Sequence, residues 1–171
     1  MLIMINGAFG VGKSTTAELL QANLANSMIY DPEQLGFVLK RFPLIKQPDD
    51  FQHFKMWPIL TVKIAKYLRK YYRPILIVPM TFAFPAYFKY VKAGFAAFGP
   101  ALYHFCLTAS SETIHARLEA RGETTGGWAY QQTERCLAAF RSNEYEKFVD
   151  TEKREPSEIV EYILKRIKSS A

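Results

Sequence analysis

Residues 2–15 read LIMINGAFGVGKST, an apolar run that gives way to spaced glycines, a lysine and a serine in the order Gly7-x-x-x-x-Gly12-Lys13-Ser14. The run at 2–6 is too short for a stable helix and rich in residues that suit a buried strand, whereas TTAELLQANL after it has helical character. The order is therefore strand, glycine-rich loop, helix. In that context the spacing matches a phosphate-binding loop, the Walker A pattern, whose backbone N–H groups converge on phosphate oxygens at a helix N-terminus. Gly7, Ala8, Phe9, Gly10, Val11 and Gly12 would supply the cradle, with Thr15 at its far end. Lys13 would reach the β- and γ-phosphates, and the Ser14 hydroxyl would ligate magnesium. ATP with Mg2+ is the expected ligand.

Composition narrows the class. A chain of 171 residues fits one domain with a core of its own. Cys106 and Cys136 form no Cys-x-x-Cys pair and have no histidine at ligand spacing, which argues for reduced thiols and against a structural zinc site. No charged-then-apolar leader precedes 2–6, and the most apolar stretch, 75–88, is short and broken by Pro79 and Pro85. A cytoplasmic protein without a transmembrane segment is expected. The net charge of +6 is spread along the chain, so it suits a phosphate-handling site better than a nucleic-acid partner. With 13 Phe, 10 Tyr and 2 Trp, the aromatic content would also suit an apolar acceptor pocket.

Farther along, SMIYD (27–31) reads as a second strand ending in an acid, and 32–42 as a helix with Pro32 in first position. Residues 49–72 have helical periodicity on both sides of Pro58, which is expected to kink or divide them. RPILIVPM is a third strand, apolar throughout as in a parallel strand covered on both faces. A helix from Pro85 would stop at Gly99-Pro100. ALYHFCLT gives strand four, a helix over 110–122 follows, and TTGG is a hinge. WAYQQTERCLAAF is helical, KFVDT is a fifth strand, and SEIVEYILKRIKSS closes the chain. Alternation of this kind predicts an α/β three-layer P-loop sandwich with a five-stranded parallel sheet, and a ligand at the strands' carboxyl edge. The expected strand order is 2-3-1-4-5, with a small lid at about 117–135 in a single domain.

Asp31 ends the second strand at the same edge as Lys13 and Ser14, so it is the candidate base and a second magnesium ligand; it would also cap the helix at Pro32. The third strand ends VPMT with no acid, which disfavours a motor or switch GTPase and favours a small-molecule kinase. Arg117 and Arg121, four apart on one helical face, lead into RGETTGG, and Arg135 follows on the next helix. Together they read as lid arginines, the first two over the transferred phosphoryl group and Arg135 on the nucleotide. His53, His104 and His115 lack metal spacing. Trp57, Met80, Phe82, Phe84 and Phe88 are core residues or the lining of an acceptor pocket. On the closing helix Ile159, Val160, Ile163, Leu164 and Ile167 share one face, which would dock on the sheet or, as the sharper reading, on an anionic membrane.

Taken in order, INGAFGVGKS, YDPEQLGFVL, DDFQ, ILIVPMT, HFCLTASSET and GWAYQQTERC resemble the tunicamycin-resistance ATP-binding proteins of bacteria over nearly the whole chain. The layout is more distantly similar to shikimate kinase and chloramphenicol phosphotransferase, including Arg141 and Tyr145 before a VDT strand. The resemblance implies ATP binding through residues 7–15, with Asp31 where related kinases hold substrate or magnesium. It implies resistance to a lipophilic nucleoside antibiotic, by phosphorylation or by ATP-dependent sequestration without modification. Family members carry a further C-terminal amphipathic segment linked to peripheral contact with the inner membrane face, and this sequence ends at Ala171.

Overall fold

The computed structural model describes residues 1–42, 48–98, 101–141, 145 and 147–169. Five parallel strands, β1 (Leu2–Gly7), β2 (Ser27–Ile29), β3 (Ile75–Pro79), β4 (Leu102–Thr108) and β5 (Phe148–Asp150), form one sheet in the order β2-β3-β1-β4-β5. The helices are α1 (Lys13–Asn23), α2 (Pro32–Leu39), α3 (Met56–Tyr71), α4 (Pro85–Ala96), α5 (Ser111–Ala120), α6 (Trp128–Phe140) and α7 (Pro156–Lys168). The α/β class, the strand number and the strand order are those expected from the sequence.

Because strand side chains alternate between faces, the apolar strands build two cores at once. Leu2, Met4, Leu76 and Val78 meet Trp57, Phe88 and Phe95 under α2 to α6. Ile3, Ile5, Ile77 and Phe105 meet Ala17 and Leu20 of α1 and Ile159 and Ile163 of α7. Each such side chain withdrawn from water contributes about 1.5–3 kcal/mol. Ile159, Val160, Ile163 and Ile167 are buried, so the apolar face of α7 is spent inside the molecule and is not free for a lipid surface. Among the described residues no helix is long and apolar enough to cross a membrane.

Two elements differ from expectation. Pro58 neither kinks nor divides α3: it lies in the helix's first turn, where its missing N–H had no intrahelical partner to lose. The division comes earlier, at a single 3-10 turn (Phe51–His53) capped by the Asp50 side chain, which accepts from Gln52 N at 3.0 Å. Strand β2 ends at Ile29, so Tyr30 and Asp31 lie beyond it, although Tyr30 N still donates to Ile77 O at 2.8 Å. Pro32 then opens α2, as its fixed φ favours. The expected stop at Gly99-Pro100 lies outside the described residues.

Candidate active site

The turn from β1 into α1 dictates the local backbone. Gly12 caps α1 at φ 103°, a left-handed conformation that disfavours any side chain, and no side chain satisfies the helix's first-turn N–H groups. At Gly7 a Cβ would lie 2.7 Å from Leu107 O, so the loop approaches β4 as closely as backbone can. The result is an uncapped helix N-terminus, the positive end of the helix dipole, facing a cavity of about 680 Å³. Phe9 to Thr16 line it, with Lys13 central and the Ser14 and Thr15 side chains on the exposed first turn of α1.

Lys13 Nζ donates to Ala8 O at 2.7 Å and lies 5.4 Å from the centre of the Phe9 ring. Burial lowers its ammonium from the usual lysine range to about 8, against the opposing pull of Glu33. The opposite wall comes from the end of β5. Arg117 donates to Thr151 Oγ1 at 3.0 Å and to Thr151 O at 2.7 Å, and Thr151 Oγ1 donates to Thr108 O at 3.1 Å. Arg117 is thus tied to the sheet edge. Arg121, whose side chain is 53% exposed, pairs with Glu123 at 3.2 Å at the cavity's mouth. From the start of α6, Trp128 meets the Phe9 ring edge-on at 5.0 Å, so the first turn of α6 touches the phosphate loop.

Asp31 takes the capping role. Its Oδ1 accepts from Glu33 N at 2.8 Å, and Glu33 is the acid that lines the cavity beside Lys13. Both carboxyls are raised, chiefly by burial; Glu33 is raised further by Asp31 and Asp50, and Lys13 opposes the rise in each. Arg135 does not line the cavity. It lies two turns along α6 from Trp128, roughly 10 Å, where it pairs with Asp50 at 3.4 Å and covers the Phe84 ring at 4.7 Å. Trp57, Met80, Phe82 and Phe88 are core residues, while Phe84 is half-buried beside His53. Tyr145 is buried and donates to Phe82 O at 2.7 Å, and Arg141 caps the end of α6. Among the described residues no group of three or more His, Cys, Asp or Glu is arranged to hold a metal ion. Both cysteines are buried, and burial pushes the Cys106 thiol up to about 12.

Glu33, Thr151 and Trp128 line the cavity without having been singled out from the sequence. A signal for Glu33 was present in DPE, where an acid follows the cap by two residues. An acid there reads equally as a partner of the helix dipole.

A helix start without a side-chain cap behind a left-handed glycine, with a half-buried lysine and a carboxyl in the same cavity, defines a protein of the P-loop kinase-like class. The chain belongs to the AAA domain family, whose model matches residues 3–137. No curated protein matches it at a significant level. Among solved structures it is similar to the tunicamycin resistance protein of Deinococcus radiodurans (28% identity, TM-score 0.79), over 97% of this chain and 94% of that one. It shares its fold with a gluconokinase from Sinorhizobium meliloti 1021 (19% identity, TM-score 0.69, 99% of this chain and 92% of that). The shikimate kinase of Acinetobacter baumannii has the same fold (13% identity, TM-score 0.63, 99% and 93%).

Proposed function

We propose that the chain is an ATP-dependent phosphotransferase acting on a hydroxyl group of a small molecule. The observation that carries this reading is the Glu33 carboxyl and the Lys13 ammonium in one cavity at the uncapped start of α1. The loop amides and Lys13 bind and orient the phosphates, and Arg117, fixed to Thr151, and Arg121, at the start of a lid after α5, lie over the transferred group. Ser14 would hold magnesium, with Asp31 or Glu33 on its water shell; when bound, the ion neutralises charge on the phosphate oxygens. The acceptor oxygen forms a bond to the γ-phosphorus as the bond to the β–γ bridging oxygen breaks and ADP leaves. The hydroxyl proton passes to Glu33, which lines the cavity, while Asp31 is engaged in capping the first turn of α2. Use of ATP fits a cytoplasmic location.

The likeness to a tunicamycin resistance protein favours a lipophilic nucleoside of that kind as the ligand. It also sustains a second reading, in which the compound is retained without modification. Mass spectrometry of the compound after incubation with protein, ATP and magnesium separates the two: a gain of one phosphate supports transfer, and unchanged compound held by the protein supports sequestration. Glu33→Gln is expected to cut transfer by about 10²–10⁴-fold, the usual share of a general base. Asp31→Asn, which keeps a capping oxygen, is expected to cost less; the reverse ranking would return the base role to Asp31.

A further inference from the structure

The segment that joins α5 to α6 is fastened at its two ends. Residues 122–126 are all exposed, and Gly122 and Gly126, at φ 86° and φ 75°, set left-handed turns near either end. Among the described residues its hydrogen bonds stay local. Gly122 N donates to Glu119 O and Glu123 N to Leu118 O, while Gly127 N donates to Thr124 O and Gln131 Nε2 to Gly126 O.

Both ends rest on neighbouring residues of the phosphate loop. At the α5 end Gly10 lies so close to the helix that a Cβ would fall 3.0 Å from Leu118 Cγ and 3.2 Å from Ile114 O. At the α6 end the Trp128 indole, 49% exposed, meets the Phe9 ring edge-on. Phe9 is also the ring beside which the Lys13 ammonium lies, at 5.4 Å. The two fastenings differ in strength. Leu118 is buried in the core, whereas the Phe9–Trp128 contact is an open ring pair, of a kind that shifts an equilibrium by about two- to tenfold. Such a contact biases the segment and can still be reset by a ligand. Arg121, which leads into the segment and pairs with Glu123, acts electrostatically on both Lys13 and Glu33, so the transfer site already feels its charge.

We infer that Phe9 and Trp128 are positioning residues: their ring pair fastens the α6 end of the lid to the phosphate loop, so that phosphates seated in the loop fix residues 121–127 and, with them, the Arg121 guanidinium. The part given to Arg121 rests on the phosphotransferase reading; the fastening itself does not. Phosphate loop and lid are then one coupled unit, joined through residues 9 and 10 to both ends of the same segment.

The test is hydrogen exchange over residues 122–131 of the whole protein, alone and with magnesium and a non-hydrolysable ATP analogue. Trp128→Ala is expected to speed exchange there about two- to tenfold in the free protein and to reduce the analogue's protection by a like factor. Trp128→Phe keeps a ring and should retain most of both. Because Trp128 also lines the cavity, the deciding arm is a double-mutant cycle in the nucleotide-free protein. If Phe9→Ala and Trp128→Ala break one shared contact, the double variant loses no more protection than either single variant. Additive losses, exchange at the parental rate in Trp128→Ala, or full loss in Trp128→Phe overturn the inference. Faster exchange spread equally through α1 and α7 also counts against it, since that is the mark of general destabilisation. None of these readouts needs an acceptor: a protein that shows the coupled loss and phosphorylates nothing counts against the phosphotransferase and leaves the fastening in place.

Discussion

Lys13 lies at the centre of the cavity, and its proton is held less firmly than that of an ordinary lysine. Its ammonium has a backbone carbonyl and an aromatic face for company, and burial lowers it to about 8. The same force acts on a residue with no part in the chemistry. His104 on β4 is 5% exposed, neither ring nitrogen has a hydrogen-bond partner, and its ring lies 4.7 Å from that of Phe88. Burial lowers it to about 3. The unfolded chain, with an ordinary histidine, therefore binds a proton below about pH 6.5 that the folded protein refuses. Stability contributed by the neutral ring is full above that value and lost as the pH falls toward 3. Between pH 7 and pH 5 urea denaturation should show a loss of about 2 kcal/mol from this group, absent in His104→Leu. An equal loss in both proteins would refute it. At this scale the sequence named Lys13 and the glycines, because their spacing answers a single chemical demand. It named Asp31 and passed over Glu33, since a helix cap and an acid lining a cavity use the same residue types two positions apart.

Elements were more legible than residues. Five apolar strands alternating with periodic helices admit few arrangements, and the buried patterns of β1 and β3 leave room only for a sheet covered on both sides. What escaped was local. Pro58 reads as a breaker in any helical stretch, and only the position of the helix start makes it harmless. The seat of α2 on the 3-10 turn was equally hidden, because Gly36 inside a helix signals weakness until its neighbour is known. That neighbour is the Phe51 ring. Gly36→Ala is accordingly expected to destabilise the protein by about 1–3 kcal/mol in urea unfolding, although alanine is the better helix former. A neutral or stabilising effect would mean that α2 is not seated there.

For the whole molecule, the strand order brings the loop after β1, the start of α2 and the end of β5 to one edge of the sheet, where three sequence-distant segments share a cavity. Thr151 illustrates how that edge is knit: one side chain joins the ends of β4 and β5 to Arg117 of α5. Such convergence was inferable in outline from topology, whereas the diversion of Arg135 to Asp50 depends on where α6 turns its face, which periodicity alone does not fix. Similarity to the D. radiodurans protein spans almost the full length, so the whole architecture is shared and not the phosphate loop alone.

All of this depends on a nucleotide's phosphates being gripped by the first turn of α1 and by Lys13. Titration calorimetry with magnesium-ATP at pH 8, repeated in buffers of different ionisation enthalpy, tests it most directly. Phosphates restore the proton that burial takes from Lys13, so the account predicts binding coupled to uptake of about half a proton per site, and loss of both in Lys13→Ala. Binding of equal strength and equal proton count in the variant, or no heat in the parent protein, would contradict it.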